Sequence, residues 1–160
     1  MVALVRDGDT VASWILDPVT GQLSVAEKGS GAWIDGERIT VSENVPELAF
    51  MHGAVLRRFL PQELAEHVNA VEGRFANLSL GSKCAGFDYP AIANGSMDFA
   101  LYWRTLPWDH APGVLFLQEA GGYATRLDGS AYRPADHARS GLLVARNKET
   151  WMSVQSTLLV

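Results

Sequence analysis

The sequence predicts a mixed α/β (α+β) fold, in which an antiparallel meander precedes a mixed sheet covered by helices on both faces. Two observations predict it. Strand-like runs separated by Asp-Gly and Thr-Gly turns fill the chain to about residue 42, and from about residue 49 strand-like and helical runs alternate. No linker, repeat or low-complexity segment is evident. We therefore expect residues 1–48 to form hairpins of one sheet and residues 49–160 to form a C-terminal α/β domain.

The individual elements follow from hydrophobic periodicity and from turn residues. Strand-like runs are residues 2–5, 11–16, 23–26, 32–39, 51–56, 77–80, 98–103, 123–127 and 142–145. Helices are predicted at 61–71, after Gly81 with a kink at Pro90, at 110–120 and at 150–159. The later strands alternate with helices, so both faces of their sheet should be covered.

Composition and charge exclude several classes of protein. The 160 residues are 48% hydrophobic and 19% charged, as in ordinary globular proteins. A net charge of −5 with dispersed Lys and Arg argues against nucleic acid or an anionic membrane as partner. The sequence has no membrane-spanning run and no signal-peptide pattern at its start. The single cysteine, Cys84, indicates a reducing compartment, so we expect a cytoplasmic protein and a small buried side chain at Cys84.

The segment 107–122 is the most informative part of the chain because it predicts a carboxylate at the start of a buried helix. Pro112 suits a first helical turn and Gly121-Gly122 a left-handed C-terminal cap, which places Asp109 at or next to the N-cap. There the helix dipole and free N–H groups keep a carboxylate ionised and favour a nearby phosphate. Such a carboxylate can bind Mg²⁺, although an Asp N-cap on a core helix is the simpler alternative.

Motifs in this segment and in three others resemble the inositol monophosphatase-like family of magnesium-dependent, lithium-sensitive phosphatases. Residues 108–122 match the pattern WDxAxGxxxxxEAGG. The other segments are Asp17-Pro18-Val19 with the turns in 27–33 and 35–39, the run Gly81-Ser82-Lys83, and residues 94–99. They occur in the family's order and cover nearly the whole chain.

The resemblance implies roles for several residues. It makes Asp109 a catalytic magnesium ligand and residues 1–48 the last hairpins of the family's first, metal-binding domain. The family's other metal-binding carboxylates lie in GEE and DPxDGT motifs upstream of the hairpin, where this chain has only ten residues. The segment 17–22 lacks the second aspartate and should be a plain turn. The chain thus looks like the C-terminal two-thirds of a phosphatase and should be inactive alone.

The resemblance also implies a substrate pocket formed by Gly81, Ser82, Lys83, Tyr102 and Arg104. Ser82 could instead be a plain N-cap, and Lys83 could either anchor a second anionic group or point to solvent. Tyr102 stands where family members often carry a Glu that binds inositol hydroxyls. The resemblance therefore implies that the substrate is inositol monophosphate or a related sugar, polyol or nucleotide phosphate, and Tyr102 argues against inositol monophosphate itself.

The histidines do not indicate a further metal site. His110 is expected to be a surface or capping residue, and His52, His67 and His137 lack the spacing of zinc ligands. A homodimer is compatible with the sequence. The alternative function, from a different class, is a non-catalytic binding or interaction module that keeps the fold without the metal cluster.

Overall fold

A computed structural model describes residues 1–136 and 138–159 of the chain, so the prediction for His137 lies outside the described residues. The strands form two five-stranded sheets, the first from residues 2–39 and the second from residues 52–145. Four α-helices and four short 3₁₀ turns connect and cover the described parts of the sheets. The predicted mixed α+β fold is confirmed.

The first sheet is an antiparallel meander in which each strand pairs with the next. Its strands are β1 (Val2–Arg6), β2 (Asp9–Leu16), β3 (Leu23–Glu27), β4 (Gly31–Ile34) and β5 (Glu37–Ile39). Two of its turns have both central residues in the left-handed region, with φ of 53° and 83° at Asp7 and Gly8 and of 51° and 86° at Asp35 and Gly36. This backbone suits the twist of two-residue hairpins and explains the Asp-Gly pairs.

The second sheet is mixed, as predicted. Its strands are β6 (His52–Val55), β7 (Asn77–Ser79), β8 (Phe99–Tyr102), β9 (Tyr123–Thr125) and β10 (Leu142–Ala145), in the order β7-β6-β8-β10-β9. Strand β6 runs parallel to β7 and β8, whereas β10 runs antiparallel to β8 and β9. The helices are α1 (Gln62–Val71), α2 (Ala85–Ala93), α3 (Pro107–Glu119) and α4 (Lys148–Leu158).

Two apolar clusters cover the two faces of the second sheet. Helices α2 and α3 pack between the two sheets around Tyr89 and Phe116, and helices α1 and α4 cover the other face around Val68 and Trp151. Helix α2 lies so close to α3 that a Cβ at Gly113 would be 2.0 Å from the Tyr89 ring. Among the described residues, no helix is long and apolar enough to cross a membrane.

Helix α3 begins earlier than predicted. Its N-cap is Leu106, which has an extended backbone, and Pro107 occupies the first helical position. Proline is favoured there because its fixed φ fits the helix and its missing N–H costs nothing, so Pro107 and not Pro112 marks the start. Pro112 is tolerated inside the helix.

The predicted end of helix α3 is confirmed in detail. Gly121 has a φ of +92° and donates its N–H to the Gln118 carbonyl at 3.0 Å. The N–H of Gly122 reaches the Leu117 carbonyl at 2.8 Å, which completes a Schellman motif. Helix α4 also begins earlier than predicted, because the Asn147 side chain accepts from the Thr150 N–H at 2.9 Å and caps it.

Candidate active site

One cleft, of about 590 Å³, brings together four of the six predicted site residues. Its lining includes Lys83 from the loop after β7, Tyr102 from β8, Arg104 from the segment after β8, and Asp109 from the first turn of α3. Gly81 and Ser82 do not line the cleft but precede Lys83 in the same loop. Clefts of this size hold small-molecule ligands.

Asp109 is the third residue of α3 and not the N-cap, because the helix starts at Pro107. It is partly exposed in the cleft. Within residues 1–136 and 138–159, its carboxylate forms neither a hydrogen bond nor an ion pair. Its backbone N–H donates to the Leu106 carbonyl at 3.1 Å. The first turn still lies at the positive end of the helix dipole, and the carboxylate is available to a ligand.

Other aspartates, by contrast, have structural partners. The Asp17 carboxylate accepts from the Thr20 hydroxyl at 2.6 Å and from the Val19 N–H at 2.9 Å, and these bonds lower the pKa of Asp17. The segment 17–22 is therefore a turn, as predicted. Asp98 forms an ion pair with Arg146 at 2.8 Å.

Asp109 alone does not make a magnesium site. Among the residues that the structure describes, no three His, Cys, Asp or Glu side chains form a group that could hold a metal ion. Mg²⁺ requires about six oxygen ligands, several of which water and substrate can supply. The described residues therefore fit one ligand of such a site and not the whole of it.

A buried carboxylate that the sequence did not indicate, Asp88, connects three elements beneath the cleft. Its Oδ2 accepts from the Tyr102 hydroxyl at 2.9 Å, and its Oδ1 lies 3.2 Å from the Ser82 N and 2.7 Å from the Ser82 Oγ. Asp88 is 1% exposed and Tyr102 is 2% exposed. Asp88 sits in an apolar helix, which is the one signal that could have identified it, because a buried carboxylate requires donors.

The loop before α2 excludes the alternative in which Ser82 is a plain N-cap. Helix α2 begins at Ala85 with Cys84 at the N-cap, so Ser82 does not cap it. The Gly81 N–H donates to the Ser79 hydroxyl at 3.1 Å, and the Ser82 N–H to Asp88, so both amides already have partners. Lys83 is exposed and has a φ of +62°, a left-handed backbone that costs a non-glycine residue about 1–2 kcal/mol.

Cys84 is exposed at the rim of the cleft, so the prediction of a buried side chain is wrong. The physical reason is its position. It is the extended residue that leads into α2, and the buried residues of that helix begin only at Asp88.

His110 is buried, so its predicted surface or capping role is wrong. Its Nε2 lies 3.2 Å from the Arg104 carbonyl, and its Nδ1 lies 3.0 Å from the Tyr89 hydroxyl. A carbonyl can only accept, so Nε2 carries the proton and Nδ1 accepts from Tyr89. Burial lowers the pKa of His110 to about 4. The ring is therefore neutral and fully bonded, and it fixes the backbone at Arg104 instead of acting as a base.

Comparison with known proteins identifies the family. The profile of the Inositol monophosphatase family matches residues 1–158. The chain is 32% identical over 131 residues to the fructose-1,6-bisphosphatase/inositol-1-monophosphatase of Thermotoga maritima, covering 80% of this chain and 48% of that protein. It is 29% identical over 153 residues to the inositol-1-monophosphatase of Mesorhizobium japonicum, covering 92% of this chain and 54% of that protein. The chain thus spans about half the length of these relatives.

Solved structures agree with the fold. An inositol monophosphatase from Zymomonas mobilis superimposes with a TM-score of 0.87 at 20% identity, covering 99% of this chain and 61% of that one. An IMPase from Thermotoga maritima superimposes with a TM-score of 0.75 at 27% identity, covering 97% and 59%. The profile match over nearly the whole chain, together with the fold, leads to one conclusion: this chain belongs to the inositol monophosphatase family.

Proposed function

We propose that this chain is part of a magnesium-dependent phosphomonoesterase that hydrolyses inositol monophosphate or a related sugar, polyol or nucleotide phosphate. One observation carries the proposal. The Asp109 carboxylate lies in a cleft beside cationic side chains, and within the described residues it has no hydrogen-bond or ion-pair partner. The relatives named inositol-1-monophosphatase support the same reaction.

In this proposal Asp109 contributes one magnesium ligand. The described residues contain no group of three metal-binding side chains, so the other protein ligands would come from outside residues 1–136 and 138–159. A carboxylate in the cleft would otherwise repel a phosphate, because both are negatively charged. The cation is therefore required on electrostatic grounds for a phosphate to approach Asp109.

The other proposed site residues bind and orient the substrate. Lys83 and Arg104 are exposed cations in the cleft and would bind oxyanions. Tyr102 donates its proton to Asp88, so its oxygen lone pairs remain to accept a hydrogen bond from a substrate hydroxyl. Gly81 and Ser82 would shape the loop that carries Lys83. The lone cysteine agrees with the proposed cytoplasmic location.

The experiment is an assay of the native polypeptide that contains this chain, purified from its source. We expect phosphate release from inositol 1-phosphate or from another member of a panel of sugar, polyol and nucleotide phosphates. Release should stop when EDTA removes the divalent cations and return when magnesium is added. A polypeptide that is folded and magnesium-loaded but hydrolyses no member of the panel would contradict the proposal.

A second candidate function is that of a non-catalytic interaction module. It is favoured by the incomplete metal-binding set among the described residues and by relatives such as the Nus factor SuhB of Vibrio cholerae, to which this chain is 28% identical over 146 residues. This match covers 86% of this chain and 51% of that protein. Co-purification of a stable protein partner, together with the absence of hydrolysis, would favour this function over the enzyme.

A further inference from the structure

Two arginines in the cleft lie against one aromatic ring. The Arg104 guanidinium carbon is 4.4 Å from the centre of the Phe59 ring, and that of Arg58 is 5.2 Å from the same centre. All three residues line the cleft, and all three are exposed. Cation–π attraction of this kind stabilises a guanidinium without occupying its N–H groups.

Neither guanidinium is neutralised within the described part of the chain. No carboxylate of residues 1–136 or 138–159 forms an ion pair with Arg58 or Arg104, and their side chains donate no hydrogen bond there. Arg57, in the same 3₁₀ turn, behaves differently, because it donates to Asn69 at 2.7 Å and to Glu72 at 2.9 Å. Arg57 also lines the cleft, but its guanidinium is already bonded to Asn69 and Glu72 and is less available to an anion.

The backbone on both sides of this pair is held in place. The Arg57 side chain connects the turn 57–59 to helix α1 by its hydrogen bond to Asn69, and to the residue that follows α1 by its bond to Glu72. The Leu56 N–H donates to the Leu101 carbonyl at 3.1 Å, and His110 bonds the Arg104 carbonyl. Both arginines therefore extend from backbone segments that hydrogen bonds hold in place, which lowers the entropic cost of binding an anion.

The charges around the pair favour an anion. Two like charges on one ring repel each other, and an oxyanion that accepts from both guanidiniums removes this repulsion. The chain as a whole has a net charge of −5, so this positive patch is a local feature. Asp109 lines the same cleft, and its carboxylate repels any anion that no cation shields. An anionic group bound without a metal would therefore lie at the cations of the cleft. The adjacent guanidiniums of Arg58 and Arg104 offer it more N–H donors, in a planar arrangement, than the single ammonium of Lys83 does.

From these contacts we propose that Arg58, Phe59 and Arg104 form a second anion-binding subsite, which binds a second phosphate or carboxylate group of the substrate. The inference rests on the proposed function for the first phosphate, which approaches Asp109 through a cation. It narrows the substrate class to phosphate esters that carry another oxyanion. Because the subsite needs no metal, it can be tested apart from catalysis.

The test is calorimetric titration of the 160-residue chain at low ionic strength in EDTA, with inorganic pyrophosphate and, separately, malonate as probes. We expect Arg58→Gln and Arg104→Gln each to raise the Kd of pyrophosphate by about tenfold, the value of one charge-assisted hydrogen bond. Arg104→Lys should give an intermediate Kd, because it keeps the charge but loses the planar fork. The probe that binds more tightly identifies the second group as phosphate or carboxylate.

The matched control is Arg74→Gln, which removes an exposed arginine that does not line the cleft. It should change the Kd by less than about twofold, since it alters only the distant charge. Three results would overturn the subsite. They are an equal rise in Kd in Arg74→Gln, an unchanged Kd in both cleft variants, and no binding of either probe to the unmodified chain. Such a result would not bear on the proposal of magnesium-dependent hydrolysis. Conversely, if the anion probe binds at the arginines but the native polypeptide hydrolyses no phosphate ester, the proposed function is wrong and the subsite is not.

Discussion

The Tyr102 hydroxyl donates a hydrogen bond to Oδ2 of Asp88 across 2.9 Å, at the floor of the cleft that contains Asp109. Both side chains are almost fully buried. Burial, followed by the nearby Asp88 charge, raises the pKa of Tyr102 well above its usual range. Tyr102 therefore stays protonated, and its proton is directed to Asp88 and away from the cleft.

Removing this hydroxyl should destabilise the fold. Tyr102→Phe leaves Asp88 buried with only the Ser82 donors, and an unsatisfied buried acceptor costs about 1–3 kcal/mol. The matched control is Tyr132→Phe, because the Tyr132 hydroxyl is also buried but has no partner among the described residues. Its loss should cost less than about 0.5 kcal/mol. Urea denaturation of both variants measures the difference, and equal losses would show that the Tyr102–Asp88 bond contributes nothing.

The buried His110 should make stability depend on pH. Its folded-state pKa of about 4 lies below the value of 6.5 for an unperturbed histidine, so the unfolded chain binds a proton first as the pH falls. The contribution of His110 to the free energy of unfolding is fully present above pH 6.5. It decreases as the pH falls from about 6.5 to 4, and about 2 kcal/mol of it is lost at pH 5.

The variant His110→Gln should lose this part of the acid sensitivity. Urea denaturation at several pH values measures the free energy of unfolding of the protein, of His110→Gln and of the control His52→Gln, which changes an exposed histidine. The control should keep the full acid sensitivity. If the difference in the free energy of unfolding between the unmodified protein and His110→Gln does not change with pH, burial does not lower the pKa of His110 as argued.

Glu119 connects two of the segments that carry the family resemblance. Its carboxylate oxygens accept from the Gly29 N–H at 2.8 Å and from the Gly31 N–H at 2.9 Å, which fastens the end of α3 to the turn between β3 and β4. Glu119→Ala should cost about 2 kcal/mol, and Glu119→Gln, which keeps one acceptor, about half of that. Glu43→Ala, at an exposed loop position, is the control in urea denaturation and should have almost no effect. A similar loss in the control would contradict the role of Glu119.

The 160-residue chain alone should not hydrolyse phosphomonoesters at a useful rate. One cleft carboxylate cannot hold the hard cations that the reaction requires. Phosphate release from inositol 1-phosphate in the presence of magnesium, compared with a blank without protein, measures this. Steady release that disappears in Asp109→Asn would show that the chain completes its own metal site.

Much of the fold could be predicted because the signals are local. The Asp-Gly pairs at 7–8 and 35–36 require a left-handed backbone and mark the hairpins directly, and Gly121 marks the end of α3. The start of α3 is harder to predict, because Pro107 and Pro112 both satisfy the rule for a first-turn proline and the local sequence does not decide between them.

The partners of the site residues could not be predicted, since they are distant in sequence. Phe59 meets Arg104 across 45 residues, and Asp88 meets Tyr102 across 14. Because family members often carry a Glu at the position of Tyr102, the resemblance alone predicts that Tyr102→Glu improves the binding of inositol hydroxyls. The structure opposes it, because a second carboxylate would be buried against Asp88.

The most direct test of the central claim is Asp109→Asn in the native polypeptide that contains this chain, assayed for magnesium-dependent phosphate release beside the control Asp128→Asn. Asp128 is exposed and bonds Ser130 and Arg139. If Asp109 is a metal ligand, its variant should change the free energy of unfolding by less than about 1 kcal/mol but lower activity by about a hundredfold or more, whereas the control keeps its activity. Unchanged activity in Asp109→Asn, or a loss of activity that only follows a loss of folding, would contradict the claim.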